Sequence, residues 1–154
     1  MTSRLTRKDV ELDKKQPLYE GFLSVYKYKL KHRLFQGGWS QPIERELMER
    51  GHAVVVIPYD PVRDELVVLE QFRVGALDDP NGPWLFEFVA GMFDADESAE
   101  EVATRELKEE AGLEAKQLVY ATSYYSSPGG TDEKLTIYIA EVDSSLAAGF
   151  GGLE

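Results

Sequence analysis

The sequence predicts a mixed domain of the α+β or mixed-sheet α/β class. Apolar, β-branched runs read as strands both before and after the middle of the chain. Between them, one clear helical pattern covers about residues 98–111. A shift in composition near residue 50 also sets a small N-terminal antiparallel β unit ahead of the main body. The chain has 154 residues and is 43% apolar, enough for a sizeable core and too apolar for a disordered segment.

Taken in order, residues 1–16 are polar and lysine-rich and read as a loose start. Residues 25–30 alternate apolar and polar side chains, the pattern of a strand. Gly37-Gly38 marks a turn. Residues 42–50, PIERELMER, fit a helix by their charges and a strand by their position between turns. The continuous run 53–57, AVVVI, is a buried strand. Residues 60–64 form a turn, and 65–72 return as a second strand, which predicts a hairpin. DDPNGP at 78–83 is a loop, and WLFEFVA at 84–90 is another strand. Two further strands, 117–125 and 134–142, flank the turn-rich SSPGGTD.

Composition excludes several classes. The formal charge of −11 argues against a nucleic-acid partner, whose backbone needs clustered Lys and Arg. The chain has no cysteine, so disulfides and thiolate metal sites are excluded. The longest apolar stretch, 53–58, is too short to span a bilayer. The first residues lack the apolar core of a signal peptide, so a cytoplasmic protein without a membrane partner is expected.

The chemistry gathers in residues 91–113, GMFDADESAEEVATRELKEEAGL. Ser98 and Glu101 form a capping box that starts the helix, and Gly112 stands where a left-handed cap ends it. Ala99, Val102, Ala103 and Leu107 supply a core face. Glu106, Glu109 and Glu110 share one side. Two carboxylates about 5 Å apart repel by roughly 3 kcal/mol at an effective dielectric near 20. A partly buried cluster must therefore be protonated, paired with cations or bound to metal, and oxygen ligands suit magnesium or manganese. Arg105 can pair with Glu101 or Glu109, each four residues away. On the helix alone, a solvated, salt-bridged face explains these charges better than a site does.

The spacing reverses that balance. Gly91, five residues, Glu97, seven residues, Arg105-Glu106-Leu107, one residue, Glu109-Glu110, one residue and Gly112-Leu113 resemble the Nudix box at every specified position. The context also fits, because the box follows a predicted strand and spans loop, helix and loop. The resemblance continues through residues 49–73, 83–92 and 126–133, and Pro128 downstream of the box is similar to the bacterial ADP-ribose pyrophosphatase branch. It implies a Nudix α/β/α sandwich with a mixed sheet over residues 49–154. Residues 1–48 would be a β unit exchanged between the subunits of a homodimer.

The resemblance also implies a magnesium-dependent (or manganese-dependent) hydrolysis of ADP-ribose to AMP and ribose 5-phosphate. Glu106, Glu110 and the Ala90 carbonyl would ligate metal, with Glu109 nearby. Arg105 would belong to the catalytic set by positioning the carboxylates, together with Glu97. Phe22 would stack on adenine beside Leu23. Arg45, Glu46 and Arg50 would reach the ligand from the partner subunit, and Arg73 would meet phosphate. Met92 would line the pocket, and Ser127, Pro128, Gly129 and Glu133 would meet the far ribose. The residues alone allow blander roles: Phe22 as a core aromatic, the arginines as surface charges, and Ser127 to Gly129 as a turn.

The chain departs from the branch at residues 151–154. An acidic loop with the general base, then a strand and a helix, is expected past this point, and Glu154 matches neither acidic residue. Without its last helix a sandwich would leave apolar sheet surface uncovered, so the sequence is expected to be incomplete, and a chain ending here is expected to bind metal and substrate with weak or no turnover. Two other functions fit the same motif. One is hydrolysis of a different nucleotide sugar such as GDP-mannose, and the other is an ADP-ribose-binding module that does not cut.

Overall fold

The structure, a computed structural model, describes residues 4–147 and 149. Residues 151–154, where the departure from the branch was read, lie outside the described residues. The chain divides into two units. One is the chain up to Arg50 with Ser126–Glu133, and the other is Gly51–Tyr125 with the chain from Lys134 on. The sequence put the division at residue 48 and kept 126–133 with the second unit.

The first unit is an antiparallel meander of β1 (Val10–Glu20), β2 (Ser24–His32) and β3 (Ile43–Glu49). From Val10 on, β1 corrects the loose start expected over residues 1–16, of which residues 1–3 lie outside the described residues. None of the residues in these three strands is buried. A sheet that buries neither face imposes no alternation, so VELDKKQ conceals a strand. Cross-strand pairs support it: Lys31 to Glu11 at 2.8 Å, Lys29 to Asp13 at 3.4 Å, and Lys15 to Glu49 at 2.8 Å. Such pairs contribute about 0.2–1 kcal/mol each, so the backbone ladder carries most of the order. The same ladder decides the ambiguous 42–50 segment in favour of a strand, with Arg45 opposite Tyr28 and Leu47 opposite Tyr26.

The loop Ser126–Glu133 is stapled to the end of β3. Met48 N–H donates to the Gly130 carbonyl at 2.9 Å, and Asp132 N–H to the Met48 carbonyl at 3.3 Å. Arg50 N–H donates to Asp132 Oδ1 at 3.0 Å.

The second unit carries the core. Its strands are β4 (Ala53–Asp60), β5 (Glu65–Leu66), β6 (Leu69–Phe72), β7 (Trp84–Glu87), β8 (Val89–Met92), β9 (Gln117–Tyr125) and β10 (Lys134–Glu141). A five-stranded mixed sheet runs β5-β4-β10-β9, with β8 also on β4; β6 and β7 form a separate ribbon. β4 and β10 are parallel, and the other pairings are antiparallel. The helix α1 (Ala99–Ala111) buries Val102, Ala103, Leu107 and Ala111 in a cluster with Val54, Val56, Val89, Tyr138 and Ala140. The alternate positions Val55, Ile57 and Ile137 are only half-buried. Among the described residues, no helix is long and apolar enough to cross a membrane.

Two strands expected to be continuous are broken. Only Glu65–Leu66 pairs with β4 at Tyr59 and Asp60, while β8 pairs with residues 53–56. With that stretch of β4 taken by β8, the returning chain leaves β4 and pairs with β7 instead. The run 84–90 likewise divides at Phe88, and each half finds a different partner.

Candidate active site

The second unit joins the end of β8, the loop that follows it and α1 into one charged corner. Ser98 caps the helix: its N–H donates to Glu101 Oε2 at 2.8 Å, and Glu101 N–H donates back to Ser98 Oγ at 3.3 Å. Gly112 closes it in the left-handed region at φ 66°. Both caps match the sequence expectation. Glu101 is thereby committed to Ser98, which removes it as the partner proposed for Arg105.

Arg105 instead grips Glu97. Its Nε donates to Oε1 at 3.0 Å and its Nη2 to Oε2 at 2.9 Å. Nη1 reaches Glu106 Oε1 at 2.6 Å and Glu109 Oε2 at 3.5 Å, and Nη2 donates to the Met92 carbonyl at 3.3 Å. A two-point guanidinium–carboxylate contact fixes orientation as well as distance. The Arg105 bonds are the main cause holding the Glu97 carboxyl below its ordinary range, helped by the Asp94 N–H. The Glu97 bonds, with those of Glu106, hold the Arg105 guanidinium more firmly protonated.

Gly91 shows why this corner needs glycine. A Cβ there would lie 1.8 Å from Glu106 Oε1, so the carboxylate occupies the space of the missing side chain. One turn on, Glu110 Oε2 accepts from Ala90 N–H at 3.1 Å. Glu110 is half-buried, and desolvation is the largest cause raising its carboxyl above the ordinary range. The Ala90 N–H opposes that rise, and the Glu106 charge adds to it. Glu109 points outward, its side chain 61% exposed. Glu106 and Glu110 thus rest on consecutive residues of β8, and Glu109 stays at the rim.

This donor set fits a hard divalent cation. It offers carboxylate oxygens, one crowded against backbone and one raised by burial, in a corner where added positive charge relieves both. Among the described residues, no three carboxylate or imidazole side chains form a ready cage. The two seated carboxylates, Glu106 and Glu110, are the oxygen donors this corner brings together. The contact shown at Ala90 is through its N–H.

Arg73, at the end of β6, holds Glu87 from β7, with Nη2 to Oε2 at 2.7 Å and Nε to Oε1 at 2.9 Å. Met92 is 42% exposed at the end of β8.

The remaining expected residues stand in the first unit. Phe22, at the turn between β1 and β2, is 95% exposed, which removes its alternative as a core aromatic. Leu23 beside it is half-buried, and Arg45 and Glu46 are exposed on β3. Arg50 Nε lies 3.2 Å from Glu133 Oε1. Ser127, Pro128 and Gly129 are exposed in a turn whose Ser127 carbonyl accepts from Gly130 and Thr131 at 3.0 Å each.

Sequence reasoning missed Glu87, Asp132 and Ser126, whose Oγ donates to Glu133 Oε2 at 2.7 Å. Each acts on a partner set by pairing rather than by local pattern. Only the turn character of SSPGGTD pointed towards the last two.

A NUDIX domain family profile matches residues 49–152. The chain belongs to the NUDIX family. An ADP-ribose pyrophosphatase of Escherichia coli (strain K12) is 49% identical over 147 residues, covering 96% of this chain and 70% of that protein. One from Haemophilus influenzae is 43% identical over 151 residues, with the same coverage of 96% and 70%. A GDP-mannose pyrophosphatase of Pectobacterium atrosepticum is 30% identical over 144 residues, covering 93% and 74%. Among solved structures, an ADP compounds hydrolase superposes with a TM-score of 0.69 at 22% identity, covering 98% of this chain and 76% of that one, and establishes the shared NUDIX fold.

Proposed function

We propose that this NUDIX protein hydrolyses the diphosphate linkage of ADP-ribose, giving AMP and ribose 5-phosphate. The observation that carries the proposal is the seating of Glu106 on Gly91 and Glu110 on Ala90, with Arg105 locked to Glu97 behind them. The ADP-ribose pyrophosphatases at 49% and 43% identity support the substrate. The GDP-mannose pyrophosphatase at 30% carries the second reading, another nucleotide sugar. An ADP-ribose-binding module without turnover fits less well, because Glu106, Glu109 and Glu110 are all present.

In this reading Glu106, Glu110 and the Ala90 carbonyl hold the metal. The chemistry a bound magnesium or manganese ion supplies there is neutralisation of the diphosphate and activation of water. Arg105 keeps the Glu106 carboxylate from swinging away, and Glu97 keeps Arg105 in place. Glu109 adds negative potential at the rim. Arg73 meets phosphate, and Met92 lines the pocket. Phe22 and Leu23 provide an aromatic and apolar seat for the base. Arg45, Glu46, Arg50, Ser127, Pro128, Gly129 and Glu133 contact the rest of the ligand, from a partner subunit for the first three. The proposal includes a homodimer that exchanges its N-terminal β unit, residues 1–48, and a cytoplasmic location.

Incubation of the protein with ADP-ribose and magnesium should release AMP, and a chelator should stop the release. No AMP from ADP-ribose, with turnover of GDP-mannose, would move the assignment to the second reading. Light scattering at micromolar concentration should give twice the chain mass.

A further inference from the structure

A second guanidinium–carboxylate clamp is built into the β6–β7 ribbon. The register places Phe72 opposite Trp84 and Leu69 opposite Glu87. Arg73 follows directly, with its N–H bonded to the Pro83 carbonyl at 2.7 Å. Its side chain meets Glu87 through two nitrogens: Nε to Oε1 at 2.9 Å and to Oε2 at 3.1 Å, and Nη2 to Oε2 at 2.7 Å. Two donors on one carboxylate fix the plane of the guanidinium. After Glu87 the chain passes through Phe88 into β8, whose Ala90 and Gly91 seat Glu110 and Glu106. One continuous segment therefore carries both the clamp and the seats.

A purely structural purpose explains this pair poorly. The Arg73 and Glu87 side chains are 47% and 28% exposed, so the pair fills no core and stabilises little. Glu87 instead stands three residues before Ala90, on the segment that seats Glu110 and Glu106. A further carboxylate beside an acidic site works against that site unless it serves Arg73.

We infer that Glu87 is a positioning residue that aims the Arg73 guanidinium at the diphosphate held beside Glu106 and Glu110. The inference rests on the hydrolase reading above for the identity of the substrate. Electrostatics alone predicts the opposite effect, because removing a negative charge would tighten binding of an anion.

The test compares Glu87→Ala, Glu87→Gln, Arg73→Ala and the double variant Arg73→Ala/Glu87→Ala. KM and kcat for ADP-ribose are measured, together with calorimetric affinity for ADP as a diphosphate probe. Glu87→Ala should weaken ADP binding and raise KM by about tenfold, with a smaller fall in kcat. Glu87→Gln, which keeps one acceptor oxygen, should lie between it and the parent. In the Arg73→Ala background, removing Glu87 should change nothing further. Melting temperatures should stay within about 3 °C of the parent.

Unchanged or tighter ADP binding in Glu87→Ala overturns the inference. So does a full effect that persists without Arg73, or a loss of affinity that only tracks a loss of stability. If the parent binds ADP but releases no AMP from ADP-ribose, the hydrolase reading fails, while the ADP affinities still decide the role of Glu87. A parent that releases AMP but does not bind ADP overturns the inference and leaves the hydrolase reading standing.

Discussion

Asp60 and Glu110 are both drawn out of water in the second unit, and their carboxyls are shifted in opposite directions. Asp60 is 1% exposed and accepts from Val62 N–H at 2.8 Å, Arg63 N–H at 3.1 Å, Arg63 Nη1 at 2.8 Å, Ser144 N–H at 2.9 Å and Ser144 Oγ at 3.0 Å. The Ser144 N–H, followed by the Arg63 and Val62 donors, holds its carboxyl well below the ordinary range despite burial. Glu110 has one backbone donor and a carboxylate neighbour, and burial moves it the other way. A buried acid with every oxygen satisfied ties a turn to the end of the sheet. A half-buried acid with a single backbone donor, beside a second acid, is a position that a cation stabilises. The difference separates architecture from site within one unit.

The largest expected effect lies on Glu110. Glu110→Gln should lower the rate of AMP release by roughly two to three orders of magnitude. Its melting temperature should hold or rise, because a like-charge pair is removed. Steady-state kinetics and a thermal melt check both halves. Comparable activity would assign Glu110 to the architectural class.

Gly91→Ala comes next. The new methyl group would force the Glu106 carboxylate off its seat, and misplacement by about 1 Å can cost about 100-fold in rate. A flexible side chain can move aside, so stability should change far less than kcat.

The smallest effect on catalysis, and a clear effect on stability, is expected at Asp60. Asp60→Asn should leave kcat within error and lower the melting temperature at neutral pH, through lost charge-assisted bonds. The pH dependence follows from the lowered carboxyl. Its contribution is present above the unfolded value, near about 4, and is lost as pH falls towards the folded one. Melts between neutral pH and pH of about 3 should therefore be steeper for the parent than for Asp60→Asn. Parallel curves would mean that Asp60 does not carry this part of the stability.

How much could be read from the sequence follows the same division. The α1 caps and the spacing from Gly91 to Leu113 are local, and both were legible. β1 was not, because a sheet exposed on both faces tolerates LDKKQ as readily as a loop does. The path of residues 65–72 was not legible either, since it depends on β8 having taken part of β4. Glu87 and Asp132 were invisible for a related reason. Their partners lie 14 and 82 residues away in sequence, and only strand pairing and loop stapling bring them together. Arg105 shows the limit within a helix. Spacing allowed Glu101 or Glu109, but the capping box had already claimed Glu101, and the firmest grip came from Glu97 in the preceding loop.

The central claim is that the Glu106–Glu110 corner is a cation platform rather than a solvated face. Thermal melts of the parent and Glu110→Gln across a magnesium titration test it most directly. A ligand that binds only the folded state raises its melting temperature with concentration. The account predicts a saturable rise for the parent and little or none for Glu110→Gln. Equal rises in both proteins, or none in either, would contradict it.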